Sequence, residues 1–132
     1  MSLRKLLILG LPLLLLAGCG KSFEAAVDGV VTLDGKPLDT GTVAFYPLQG
    51  GPAAYSRIQP DGRYSIVTGR RGGLPVGEYA VTVVATAPPP NPKLEVPGKL
   101  ITPPRYGQPD RSGLRFTVKP GHNSIDLALA SP

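Results

Sequence analysis

The sequence predicts an all-β chain, a single seven-stranded Greek-key β-sandwich, and three observations carry that reading. Apolar residues recur at every second position in one segment after another, the period of a strand with one buried face. The 17 glycines and 16 prolines fall mostly between those segments, where they punctuate turns. No stretch after residue 18 sustains a helical period. Glycine and proline make up about a quarter of the chain, close to the composition of disordered sequences. Their placement between short β-rich runs decides for a sandwich instead.

The strands follow in order. Val27, Gly29, Val31 and Leu33 alternate over 27–33, and Asp34-Gly35 ends that run because both residues tolerate the left-handed backbone of a tight turn. The second strand covers 42–46 with Val43 and Phe45 on one face, and Pro47 with Gly50-Gly51-Pro52 closes it. Segment 53–59 offers Tyr55 and Ile58, and 63–68 offers Tyr64 and Ile66; Pro60-Asp61-Gly62 between them predicts a β-hairpin. The strongest strand is 77–87, where Tyr79, Val81, Val83 and Ala85 alternate with Ala80, Thr82, Val84 and Thr86. Apolar character on both of its faces predicts a central position. Periodicity then lapses over 88–112, where Pro88-Pro89-Pro90, Pro92, Pro97, Pro103, Pro104 and Pro109 predict an extended loop. A loop this long in a small domain is functional or flexible. Alternation returns with Leu114, Phe116 and Val118, and Pro120-Gly121 turns the chain into Ile125, Leu127 and Leu129. The predicted core is Val31, Phe45, Ile66, Val81, Val83, Phe116, Val118, Ile125, Leu127 and Leu129.

Ahead of the strands the pattern differs. Arg4 and Lys5 precede an apolar run, 6–16, shorter than the roughly 20 residues that span a bilayer and interrupted by Pro12. It ends in Leu16-Ala17-Gly18-Cys19; a basic start, a short apolar stretch and small residues before a cut are the parts of a secretory signal. This arrangement resembles the lipobox of a bacterial lipoprotein signal peptide. The resemblance implies that a signal peptide, 1–18, is cleaved and that Cys19 becomes the lipidated first residue, holding the protein to a membrane of the cell envelope. Gly20 stands where lipoproteins retained at the inner membrane carry aspartate, which favours the outer membrane. The expected organisation is therefore a tether, 19–26, followed by one domain, 27–132, with the Pro-rich loop at 88–112. Cys19 is the only cysteine, so no disulfide supports that domain. A chain of this length buries somewhat under about 70% of its unfolded surface, enough for one core.

Three segments carry a second resemblance. They are Val27-Asp28-Gly29-Val30-Val31-Thr32-Leu33-Asp34-Gly35-Lys36-Pro37-Leu38, then Asp61-Gly62-Arg63-Tyr64-Ser65-Ile66, then Leu74-Pro75-Val76-Gly77-Glu78-Tyr79-Ala80-Val81-Thr82-Val83. They resemble the carboxypeptidase regulatory-like domain, a transthyretin-like (prealbumin-like) sandwich of Ig-like architecture common in bacterial envelope proteins. Pro104-Arg105-Tyr106-Gly107, Ser112-Gly113-Leu114 and Pro120-Gly121-His122-Asn123 resemble a subgroup of small bacterial lipoproteins with that domain. The resemblance implies the fold over nearly all of the chain after the signal, and a structural or binding role; the fold itself serves several purposes. One branch of it contains hydrolases of a purine-breakdown product, marked by several histidines and a C-terminal tetrapeptide. This chain has one histidine and ends Ala130-Ser131-Pro132, which departs from that branch.

The residues offer little for chemistry. Acylated Cys19 is no nucleophile, and His122, in a turn sequence, is the only imidazole base. No His/Cys cluster has zinc spacing, and Asp28, Asp34, Asp39 and Asp61 are separated and read as turn residues. No glycine-rich loop leads from a strand into a helix to cradle phosphate. No catalytic residue, metal, cofactor or small-molecule substrate is expected. Setting aside Arg4 and Lys5, the 14 basic residues fall to 12 against nine acidic, a net charge of +3 spread along the chain. That excess does not point to nucleic acid. For binding, Arg70-Arg71 supplies paired guanidinium donors, and Arg105 beside Tyr106 supplies a charge and a flat face. Those four residues are the expected binding surface for an acidic glycan or an envelope protein; the plain alternatives are a solvated hairpin tip and a loop packed across the sandwich. The expected function is a lipid-anchored, non-enzymatic structural or binding module. The rival is an accessory subunit docking an envelope protein through the Pro-rich loop, and a hydrolase of unrecognised type is the third reading.

Overall fold

The structure, a computed structural model, describes residues 23–132; the expected signal segment, Cys19 and the first part of the expected tether lie outside the described residues. Among the described residues eleven strands form in chain order: β1 (Ala25–Leu33), β2 (Lys36–Pro37), β3 (Thr42–Pro47), β4 (Ala54–Arg57), β5 (Arg63–Ser65), β6 (Val67–Thr68), β7 (Arg71–Gly72), β8 (Gly77–Val84), β9 (Arg115–Val118), β10 (Gly121–Ser124) and β11 (Leu127–Leu129). Two 3₁₀ turns, Pro92–Leu94 and Pro104–Gly107, lie between β8 and β9, and there is no α-helix among the described residues.

The strands make two packed sheets. β1 is the centre of the first. It runs parallel to β10 along Ala25–Asp28 and to β11 along Val31–Leu33, while β5 and β2 pair antiparallel with its other edge. β10 and β11 keep one register against β1, so they are a single strand interrupted at Ile125-Asp126. There the ladder is completed differently: the Ile125 N–H donates to Asp28 O at 2.8 Å, and Val30 N–H donates to the Asp126 carboxylate at 3.0 Å. The second sheet has the order β7-β6-β4-β3-β8-β9, which places β8 in its interior as its two-sided apolar pattern predicts.

Between the sheets lie Val27, Val31, Leu127 and Leu129 from one side and Val43, Phe45, Val81 and Val83 from the other, all buried. Phe45 tilts against Tyr64 and Tyr79, with ring centroids 6.3 and 5.9 Å away, the offset geometry that aromatic quadrupoles prefer. Both tyrosines satisfy their hydroxyls on backbone, Tyr79 donating to Pro75 O at 2.7 Å and Tyr64 to Ile125 O. Of the ten predicted core residues, eight are buried; Phe116 and Ile125 are half-buried at its rim. The Asp34-Gly35 turn joins β1 to β2 with φ of 51° and 81°, both left-handed as a two-residue hairpin requires. The Asp34 carboxylate then ties down the chain's end by accepting from the Ser131 N–H and hydroxyl, bonds that lower its pKa.

Four expectations are corrected. Segment 63–68 is not one hairpin strand: it divides at Ile66, whose N–H donates to Val27 O. Its first half crosses to β1, and only its second half pairs with β4, through Tyr55 and Val67. Tyr55 is exposed, because Ala54 takes the inward position of β4. The fold starts earlier than residue 27, since Phe23 N–H donates to Gly72 O and β1 begins at Ala25. His122 and Asp28 belong to strands β10 and β1 rather than turns.

The Pro-rich loop is folded back on the domain. Its base is closed by Ala87 N–H to Lys99 O (2.7 Å) and Ile101 N–H to Ala85 O (2.8 Å), and the Thr102 hydroxyl accepts from Ala85 N–H. The second 3₁₀ turn drops Tyr106 into the core, where its hydroxyl accepts from Ala130 N–H at 3.0 Å. Tyr106 thereby closes the gap between the end of β8 and the end of β11.

Candidate functional site

Strand directions sort the connections to two poles. One pole, where Phe23 enters, carries the β3–β4 connection, the β6–β7 hairpin at Gly69-Arg70, residues 73–76 and the β9–β10 turn. The far pole carries the β1–β2 turn, the β4–β5 turn, the Pro-rich loop and the C-terminal residues.

Arg70 and Arg71 sit at the first pole. Arg70 is exposed, and the Arg71 guanidinium lies 3.9 Å over the Phe23 ring. Arg105 is exposed at the far pole, with its guanidinium 4.6 Å from the Tyr106 ring centroid and donating to the Tyr106 hydroxyl at 2.8 Å. In the second sheet β6, β4 and β3 stand between β7 and β8, so four strand spacings, about 19 Å, separate the two pairs across the sheet. The expected composite surface is therefore not assembled. Tyr106 is also buried in the core, and the Arg105 guanidinium already lies over its ring.

What the fold does build is a groove of about 550 Å³ where β5 leaves β4 to join the first sheet. Asp28 and Asp126 lie among its lining, as do Arg57 and Arg63. Arg63 faces Asp61 at 3.5 Å, an exposed pair that adds little stability. At the groove's edge His122 Nε2 meets the Asp28 carboxylate at 2.7 Å, with both side chains partly exposed. Tyr64 forms part of the floor. Burial, reinforced by the Asp126 and Asp28 carboxylates, pushes its hydroxyl well above the ordinary tyrosine value, so at neutral pH it stays protonated and donates to Ile125 O. The groove can hold a polar ligand by hydrogen bonds.

Sequence reasoning missed this groove. Asp28 and His122 are 94 residues apart, and Val30 and Asp126 are 96 apart, so no local motif announces either contact. Cys19, the expected lipidation site, lies outside the described residues. Among the described residues no group of three His, Cys, Asp or Glu side chains converges as a metal site would require, and no helix is long and apolar enough to cross a membrane. No family model, curated protein or solved structure matches the chain.

Proposed function

We propose that this chain is a lipid-anchored envelope protein whose β-sandwich, of the carboxypeptidase regulatory-like class, acts without catalysis as a structural or binding module. One observation carries the reading: the chain enters the fold at one pole, beside Gly72, while the Pro-rich loop stands at the other. A lipid on Cys19 would thus hold one end of the domain at the membrane, with the outer membrane favoured by Gly20, and present the opposite end to the envelope. Counting β10 and β11 as one interrupted strand, and leaving aside the two-residue β2, β6 and β7, gives seven principal strands, in keeping with a seven-stranded sandwich.

The anchor is tested by Cys19→Ala. The variant should lose fatty-acid labelling entirely and accumulate as unprocessed precursor or soluble export product. Persistent labelling of the alanine variant would overturn the proposal.

A specific feature favours the docking version over a purely structural role. Leu94, Val96, Leu100 and Ile101 are 66, 49, 41 and 38% exposed on the Pro-rich loop, beside Lys93 and Lys99. Exposed apolar side chains gathered on one loop mark contact surfaces more often than isolated ones do. An envelope protein is the occupant this surface suits; an acidic glycan would use Lys93, Lys99, Arg105 and Arg111 instead. Leu94→Ser with Val96→Ser should leave stability within about 0.5 kcal/mol, because both sites are exposed. The same variant should lose a stoichiometric partner captured by the parent from intact envelope. Recovery of that partner at equal yield excludes docking through this loop.

A further inference from the structure

We infer that the pole where Phe23 enters is a membrane-contact surface, which seats the domain on anionic phospholipid headgroups through Arg70, Arg71 and Lys119 while Leu48 and Val76 reach the interface. The inference rests on the anchored reading above and specifies which face that anchor turns to the bilayer.

Reach is the first ground. Three residues, Gly20, Lys21 and Ser22, separate Cys19 from Phe23, and the four chain steps between them span at most about 14 Å even fully extended. Phe23 is fixed to the fold by its bond to Gly72 O at 3.0 Å and by the Arg71 guanidinium 3.9 Å over its ring. With acyl chains on Cys19 buried in the bilayer, the β6–β7 hairpin cannot stand much farther from the headgroups than that tether allows. The field of an anionic leaflet persists over a screening length of about 8–10 Å at physiological salt, a comparable distance.

Composition is the second ground. Exposed Arg70, Arg71 and Lys119 share this pole with exposed Glu24 and Glu78. Leu48 and Val76 are 44 and 45% exposed there, on the β3–β4 connection and just before β8. Cations beside short apolar side chains form an interfacial contact: the apolar groups enter the headgroup boundary and the charges meet phosphate. The Arg70 guanidinium can donate to phosphate oxygens two at a time. A protein partner would need to fit into the space left by a tether this short; the lipid surface is already there.

The chain has no tryptophan, so Leu48→Trp in the full-length lipidated protein reports on this pole alone, and Leu94→Trp reports on the far pole. Each is reconstituted into vesicles of brominated phosphatidylcholine with and without phosphatidylglycerol. With phosphatidylglycerol present, quenching of Leu48→Trp should exceed that of Leu94→Trp by about twofold or more, and high salt should remove the excess. Adding Arg70→Ser and Lys119→Ser should remove it as well, and Val76→Trp serves as a second reporter if Leu48→Trp disturbs its turn. Equal quenching at both poles, from protein that still floats with the vesicles at high salt, overturns the seating and leaves the anchor standing. Protein that does not float with the vesicles at high salt removes the anchor and this inference together.

Discussion

Phe45→Ala is expected to lower the free energy of unfolding by about 3–5 kcal/mol, at the upper end for a single core truncation. Phe45 is completely buried in the middle of β3, between Val43 and the two aromatic rings of Tyr64 and Tyr79. The size of the loss depends on whether neighbours can collapse into the space. Here they are restrained, because both tyrosine hydroxyls are bonded to backbone, at Ile125 O and Pro75 O, and neither ring can swing inward without breaking its bond. A domain of this size has about 5–15 kcal/mol in all, so the variant would stand near the edge of folding. Phe116, half-buried at the rim opposite Tyr79, should cost about half as much when truncated, since less of its surface leaves water. Urea denaturation with an unchanged slope is the measurement. Equal losses for Phe45 and Phe116 would show that the two sheets do not enclose Phe45 as described.

Much of this core is legible in the sequence because alternation reports which face of a strand is buried. Val31, Phe45, Val81, Val83, Leu127 and Leu129 are read directly from it. Asp34-Gly35 is legible for a different reason, since few residues accept two successive left-handed positions. Alternation says nothing about which strand is the neighbour. Tyr64 and Ile66 share an inward face whether they pair with β4 or with β1, so the crossing at Ile66 leaves no trace in the pattern. The groove is hidden by the same property. Asp28 reads as a turn residue and Asp126 carries no motif, and only the parallel register of β1 with 121–129 brings them to one cleft. Tyr106 illustrates the converse: within a proline-rich passage it has no period to mark it as core, yet a single 3₁₀ turn is enough to bury it. Arg70-Arg71 and Arg105 read alike as spare cations, and only the strand directions separate them to opposite poles.

Gly29→Ala is the second large effect, and it tests the register on which the groove and both poles depend. A Cβ on Gly29 would lie 2.0 Å from Ile125 O and 2.6 Å from Ile125 C, atoms of the backbone that cannot turn aside as a flexible side chain would. Ile125 is held there from both ends: its N–H donates to Asp28 O, and its carbonyl accepts from the Tyr64 hydroxyl. The added methyl must push strand 121–129 away from β1 at its midpoint. That movement breaks the exposed Val30 N–H bond to Asp126 and the Tyr64 bond, and the largely buried Tyr64 hydroxyl left unpaired costs about 1–3 kcal/mol, in addition to the packing lost between the strands. The expected loss is therefore about 3 kcal/mol or more, which approaches failure to fold. Gly35→Ala provides the comparison: nothing lies within 4 Å of its added Cβ. Its cost should be only the left-handed backbone penalty of about 1–2 kcal/mol. Urea denaturation of both variants, with hydrogen exchange at the Val30 amide, separates the two causes. If Gly29→Ala costs no more than Gly35→Ala and the Val30 amide keeps its protection, the C-terminal strand does not lie against β1 in this register. Asp28, His122 and Asp126 would then not share a cleft.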